Sequence, residues 1–457
     1  MKFLFIHQNF PGQYVHLVRH LAAQRRHEIL FITQPNSNEM EGVRKLTYPR
    51  DERLRVNCHA YSVEFDRAIY AAAQVAELCR EQASRGFRPD VIIGHSGWGE
   101  TLFVKDVFPG VPVLANFEFY YHYQGVDVGF DAEFASVFQD PLRLRARNTT
   151  NLLAFEACDW GHSATQWQRS LYPESMRTRM TAIHEGVDTD IVRPNSAARF
   201  TIPGSPRTLT RRDEVITYAA RNLEPYRGFH VFMRSLPELL RMRKRAQVVI
   251  AGGDGVSYGM PPPPKSSFRE MMLLELEGKL DLNRLHFVGR LEYHDYLNLL
   301  QVSSAHVYLT YPFVLSWSFI EALASGCLVV ASRTAPVLEI LRDGVNGRAV
   351  DFFSHGALAE QIASMLGRPS EAKKLRDGAR ATAVTHFDLK RVLLPRWEKL
   401  IGDLAAGRRP PLEYTVETRP TRQVASRGRR GKPSARVARA GSARTGVVFR
   451  HSSYDEP

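Results

Sequence analysis

The sequence predicts an α/β protein built from two Rossmann-like halves that face each other across a cleft, and three stretches carry that prediction. Lys2–Thr33 reads as strand, glycine-bearing turn, helix and strand, the opening of a parallel βαβ unit. The same order restarts at Glu214, where a strand, a loop with two arginines and the helical pattern Phe229 to Arg241 lead to a second strand ending in Gly252-Gly253-Asp254-Gly255. Cys327-Leu-Val-Val-Ala331 is apolar at every position, as a strand covered on both faces of a parallel sheet must be.

Composition narrows the function classes. At 457 residues and 44% hydrophobic the chain is long enough for two domains and an appendage. The first apolar run, Met1 to Ile6, ends at His7-Gln8-Asn9, too short for a signal peptide, and no run approaches the ~20 apolar residues of a membrane span. Four cysteines, Cys58, Cys79, Cys158 and Cys327, lack paired or metal-ligand spacing, which fits a reducing cytoplasm. Of the formal charge of +13, the stretch from Ala405 holds +8, from eleven arginines and Lys432 against four acids, so the first 404 residues carry +5. That modest excess suits anionic substrates or peripheral contact with the inner face of a membrane. Residues 405–457 are low in complexity and expected to be a disordered, solvated tail, with no specific nucleic acid partner.

In the first half, Asn9–Gln13 is a turn before the helix Tyr14 to Gln24, and Gly12 by itself reads as an ordinary tight-turn residue. Ala68 to Ser84 is a helix, and the strand Pro89–Ile93 delivers His95 into Gly94–Gly99, where it would act as a base, as a sugar ligand or as a hydrogen-bonded loop histidine. The strand Val111–Asn116 leads to Phe117-Glu118-Phe119-Tyr120-Tyr121. Rings flanking a carboxylate suit a sugar, whose apolar faces stack while Glu118 takes hydroxyls, and they equally suit a core. Arg143 to Glu156 is helical. Asp188-Thr189-Asp190 has the spacing of a metal-binding acidic pair, but its loop leads away from any strand end, so a metal-independent protein without a cofactor is expected. Residues 196–213, rich in Pro, Ser, Gly and Arg, read as a linker.

In the second half, Arg221 and Arg227 lie six apart on a loop that leads through Gly228 to a helix start, an arrangement suited to forking onto a diphosphate or to a solvated basic loop. The glycine run places Gly253 and Asp254 at a strand end where backbone can approach a ligand. His306–Thr310 is a strand and Tyr311–Leu315 a proline-opened loop; Ser316 can cap the helix Trp317 to Ser325, which Gly326 ends. Leu315, Ser316 and Ser318 therefore bound a helix start able to hold an anion. Glu321 would reach a hydroxyl-rich group over that turn; as a capping-box partner of Ser318 it would leave the helix under two turns long. The last helix is Phe387 to Leu404.

The run Glu321-Ala-Leu-Ala-Ser-Gly326-Cys-Leu-Val-Val-Ala-Ser332 resembles the donor-site segment of glycosyltransferase family 4, retaining sugar transferases of the GT-B fold. Arg221, Arg227 and Gly228, the strand ending at Gly289, Glu339, and the connector Gly186-Val187-Asp188 with Pro194 follow the same pattern. The resemblance implies that Arg221 and Arg227 hold a diphosphate, that Glu321 holds a ribose, that Gly12 lets backbone approach the donor diphosphate or the acceptor, and that Gly289 lies beside the nucleobase. It assigns 1–195 to an acceptor-side domain, 214–386 to a nucleotide-sugar-binding domain and 387–404 to a helix crossing back. Two positions depart from it: Phe313 replaces an acidic residue eight before Glu321, and Glu118 replaces a histidine. The expected function is retaining transfer of a sugar from a nucleotide-diphosphate donor to a glycan, lipid-linked or small-molecule acceptor, with Arg221, Arg227, Glu118 and His95 as catalytic candidates. The alternatives are an impaired nucleotide-sugar-binding protein and an epimerase of the same fold.

Overall fold

The computed structural model describes residues 1–53, 58–134 and 140–414. The first sheet holds β1 (Lys2–Ile6), β2 (Glu28–Thr33), β3 (Arg44–Thr47), β4 (Val91–His95), β5 (Val113–Asn116), β6 (Trp160–Ser163) and β7 (Met180–Ala182), all parallel, in the order β3-β2-β1-β4-β5-β6-β7. β8 (Arg199–Thr201) and β9 (Thr208–Thr210) form an antiparallel hairpin. The second sheet holds β10 (Val215–Asn222), β11 (Gln247–Gly253), β12 (Leu285–Gly289), β13 (Ala305–Tyr308), β14 (Val329–Ser332) and β15 (Arg348–Val350), parallel throughout, in the order β12-β11-β10-β13-β14-β15.

Each order reverses direction once, between β1 and β4 and between β10 and β13. At such a point the connections leave in opposite directions and open a crevice at the carboxyl ends of the strands. The apolar strands predicted from sequence are buried on both faces: Leu4, Phe5 and Ile6 in β1, and Val329, Val330 and Ala331 in β14, are fully covered. Helix Phe229–Met242 packs Phe229, Phe232, Met233 and Leu236 into the second core, while its left-handed start, Gly228, has no room for a side chain: a Cβ would stand 2.4 Å from that of Leu309.

Several boundaries differ from the sequence reading, each for a local reason. The expected linker contains β8 and β9, because Phe200, Ile202 and Leu209 supply an apolar face that packs on Val215 and Leu299. The helix expected from Arg143 to Glu156 is two, Pro141–Arg147 and Thr149–Glu156, parted at Asn148, whose side chain bonds the Tyr121 backbone in both directions. The last helix runs Leu394–Ala405, and its Trp397, Leu400 and Ile401 lie in the core of the first sheet beside Phe3 and Phe5. Beyond it the chain stays attached: the Ala182 N–H donates to the Leu412 carbonyl at 3.3 Å and Thr181 Oγ1 to that of Pro411 at 2.6 Å. The expected start of the tail at 405 is therefore corrected to a later position, since edge strand β7 satisfies its polar groups with residues 411 and 412. The remaining tail, from 415, lies outside the described residues.

Several contacts tie the halves together. Glu339 accepts the N–H groups of Gln166 and Trp167, at 2.9 and 2.6 Å, capping a first-half helix from the second half. Trp317 Nε1 donates to Glu185 at 3.2 Å. The stretch after β5 reaches over the cleft, where Tyr226 donates to Asp127 at 3.0 Å, Tyr311 donates to Asp131 at 2.8 Å, and Arg234 forks onto Glu133. Among the described residues no helix is long and apolar enough to cross a membrane.

Candidate active site

Both crevices open onto one cleft. On the second-half side, the carboxyl ends of β10 and β13 bound a pocket of ≈ 450 Å³ lined by Arg221, Glu224, Arg227, Tyr258, Ser316 and Ser318 among others. Pro225–Arg227 is a single tight turn, and it aims the Arg227 guanidinium at Thr310 Oγ1, 2.8 Å away, and the Val314 carbonyl, 3.1 Å away. Tyr258 lies under that guanidinium at 5.3 Å. Neither acceptor is charged, so Arg227 is positioned without being neutralised by them.

Ser316 is the N-cap of helix Trp317–Ala324 and accepts from the Ser318 N–H at 3.3 Å, so the helix starts before Ser318 and the capping-box reading of Glu321 does not arise. The helix ends at left-handed Gly326. Glu321 instead receives a 2.8 Å hydrogen bond from Tyr293. Burial raises its pKa, against the opposing bonds from Tyr293 and Tyr296.

On the first-half side, β1 and β4 bring His7 and His95 together, with ring centres 5.2 Å apart. Burial holds the His7 pKa down to about 3, so its ring is neutral. Nδ1 accepts the Asn9 N–H at 2.8 Å, which leaves Nε2–H to donate to Gln13 Oε1. The Gln13 amide then donates to Glu118 at 3.0 Å. His95 lies on Trp98 at 4.1 Å, accepts the Gly97 N–H on Nδ1, and presents Nε2 to Glu118 at 3.7 Å, an ion-pair rather than a hydrogen-bond distance. Burial pushes the Glu118 carboxyl up, but His95, Gln13 and the charge of Arg221 across the cleft outweigh it and leave the pKa lowered.

The candidates thus divide. Arg221, Arg227, Ser316 and Ser318 meet in one pocket, with Glu118 and His95 opposite. Gly253 and Gly289 end β11 and β12 on the same edge of the sheet, and Asp254 is held by Arg269 at 2.6 Å. The Leu315 side chain is not at the pocket; it is buried with Tyr308 and Phe319. Gly12, at φ +56, is fixed by its neighbour, since a Cβ would stand 2.6 Å from the His7 ring. Phe313 joins an aromatic cluster with Phe119, Tyr258 and Tyr226 at 4.7, 4.9 and 5.6 Å. Asp188 and Asp190 pair with Lys390, and Asp190 also with Arg391.

Sequence reading missed Glu224, Tyr258, Gln13 and Glu185. Glu224 is buried behind the arginines and accepts the N–H groups of Ser257 and Tyr258, each at 2.9 Å; burial raises its pKa to about 7. Glu185 is buried beside Trp317 and is raised to about 7 for the same reason. A carboxylate immediately before the arginine turn, and another in His184-Glu185-Gly186, were the available signals.

Two parallel-sheet domains facing each other across a cleft are the GT-B architecture. Solved structures share it: sucrose-phosphate synthase from Thermosynechococcus elongatus, at TM-score 0.65 and 17% identity over 89% of this chain and 100% of that one, and Anabaena HepE in complex with UDP, at 0.61 and 15% over 88% and 100%. The model of the glycosyl transferase family 4 group matches residues 25–192 and that of glycosyl transferases group 1 matches 205–382. The chain belongs to glycosyltransferase family 4. Among curated relatives, it is similar to D-inositol 3-phosphate glycosyltransferases of Mycolicibacterium smegmatis, 25% identical over 50% of each chain, and of Mycobacterium leprae (strain Br4923), 27% identical over 55% of this chain and 56% of that one. The chain thus spans about half the length of the curated relatives it matches.

Proposed function

We propose that the protein is a retaining glycosyltransferase that moves a sugar from a nucleotide-diphosphate donor to a glycan, lipid-linked or small-molecule acceptor. The observation that carries this is the pairing of Arg221 and Arg227 with the start of helix Trp317–Ala324 around one pocket. Two guanidiniums and the Ser316 and Ser318 hydroxyls at a helix start are donors of the kind a diphosphate needs. The HepE and sucrose-phosphate synthase likeness supports the fold of such an enzyme, and HepE is described with UDP and with UDP-glucose.

In this reading the C1–O bond to the diphosphate breaks as charge grows on the leaving oxygen, and Arg221 and Arg227 stabilise that charge. The acceptor oxygen forms its bond to C1 on the face just vacated and gives its proton to the leaving phosphate oxygen. Glu118, kept ionised by its surroundings, faces the positive charge that develops at C1 and orients the acceptor hydroxyl. Glu321, braced by Tyr293, takes the ribose. Neither a metal nor a cofactor enters this scheme, and contact with the inner face of a membrane is proposed only as a route to a lipid-linked acceptor.

The test is incubation with a panel of nucleotide-sugars and acceptors, with the anomeric configuration of any product read by NMR. Transfer with retention is expected, and Arg227→Ala should lower it by roughly 10²–10³-fold with the fold intact. Binding of a nucleotide-sugar without transfer to any acceptor, or recovery of an epimerised donor, would replace this reading.

A further inference from the structure

On the amino edge of the second sheet, away from the carboxyl ends that carry Arg221 and Arg227, lies a groove of ≈ 1230 Å³. The parallel strands put it there, since Glu214 immediately precedes β10, Gln247 opens β11 and Ser304 precedes β13. β10 is eight residues long, so roughly 25 Å of sheet separates the groove from the arginine pocket.

Five guanidiniums converge on it. Arg207, Arg211 and Arg212 come from the β8–β9 hairpin and its exit, Arg245 from the turn before β11, and Arg376 from the helix Pro369–His386. The two carboxylates of the wall are committed elsewhere: Glu214 forks onto Arg243 at 2.9 and 2.5 Å, and Asp213 accepts from the N–H and hydroxyl of Thr210. Among the described residues none of the five arginines makes an ion pair. Two are fixed by uncharged acceptors, Arg211 by the Gln301 carbonyl at 2.9 Å and Arg376 by that of Ser304. Arg376 Nε is buried without a hydrogen-bond partner. Burial lowers the pKa of Arg376, and the neighbouring charge of Arg211 lowers it further. Five guanidiniums gathered in a concave site against two carboxylates, one of them already paired with Arg243, repel one another, which an anion joining them relieves.

We infer that this groove is a second ligand site, taking a compound with two or more phosphate groups, with Arg211 and Arg376 holding one phosphate at the floor and Arg207, Arg212 and Arg245 holding another at the exposed rim. The donor set is multidentate and its five guanidiniums outnumber the carboxylates of the wall, which selects phosphate-rich anions over single carboxylates. A soluble phosphorylated metabolite and a phospholipid headgroup present the same chemistry.

The test is isothermal titration of the full chain with inorganic pyrophosphate in about 150 mM salt, where diffuse attraction is screened. Wild type should bind two equivalents. The variant Arg207→Gln/Arg212→Gln/Arg245→Gln changes only exposed side chains, so it should fold and keep one site while weakening the other at least tenfold. Arg227→Ala should remove the remaining site instead. Two unchanged sites in the triple variant, or a single wild-type site abolished by Arg227→Ala, would overturn the inference. Loss in the triple variant with no effect of Arg227→Ala would support the groove and count against the donor pocket. In parallel, cosedimentation with phosphatidic acid in phosphatidylcholine vesicles assigns the source: binding by wild type but not the triple variant points to a headgroup, and equal binding by both points to a soluble ligand.

Discussion

A neutral imidazole, that of His7, organises the first-domain side of the cleft, and its neutrality is a consequence of burial. His7, held to a pKa of about 3, must carry its one proton on Nε2 because Nδ1 is taken by the Asn9 N–H. That fixes the Gln13 amide, which in turn points its donor at Glu118. Gly12 makes room for the ring. Gly12→Ala should therefore cost roughly 1 kcal/mol or more in backbone strain, lower Tm by a few degrees, and lower transfer at least tenfold by displacing His7 from Gln13; calorimetry and turnover check both. Glu185 supplies a pH prediction. Its folded pKa, about 7, lies above its ordinary value of 4.5, so the folded state binds more protons between those pH values. The contribution is complete below pH 4.5 and is lost as pH rises through 7. Glu185→Gln, which keeps an acceptor for Trp317, should flatten that decline and gain up to about 3 kcal/mol at pH 8 relative to wild type; denaturant melts across pH 4.5 to 8 measure it.

At the scale of elements, the start of helix Trp317–Ala324 was legible because its signals are local: Ser316 as cap, apolar residues at helical spacing and Gly326 at the end. The arginine turn was legible for the same reason, as Arg221, Arg227 and Gly228 lie within eight residues. What joins elements was not. Nothing near Gln13 in the chain announces Glu118, and Tyr258, in a loop that ends in a proline-rich excursion, meets Arg227 only in three dimensions. Leu315 shows the limit of reasoning by neighbourhood, since it borders the site in sequence yet its side chain turns into the core. Glu339 acts between elements too. Glu339→Ala should uncap the helix Gln166–Ser170 and cost about 1 kcal/mol, and hydrogen exchange should rise at the Gln166 and Trp167 amides before anywhere else in that helix.

On the scale of the whole molecule, polar pins and aromatic contacts join the two sheets. Phe130 packs on Tyr311, Phe352 and Phe353, flanked by the bonds from Asp127, Asp131 and Glu133 to the second domain. Asp131 also sits 3.1 Å from His230, a buried pair. Asp131→Ala/Glu133→Ala should loosen the seam and leave each domain folded, seen as a larger radius of gyration by small-angle scattering without loss of secondary structure; an unchanged radius would show that the remaining contacts hold the closed arrangement. The two-sheet plan was legible in the alternation of strands and helices, but the angle and contacts between the sheets were not, because they depend on side chains more than 90 residues apart.

The central claim is that Arg221 and Arg227 hold the diphosphate of a sugar donor. Titration of wild type, Arg221→Ala and Arg227→Ala with a panel of nucleoside diphosphates tests it most directly, because it requires neither the sugar nor the acceptor. The account predicts saturable binding of at least one nucleotide by wild type, weakened about tenfold or more in each variant with Tm in the absence of nucleotide little changed. Equal affinity in all three proteins would contradict it.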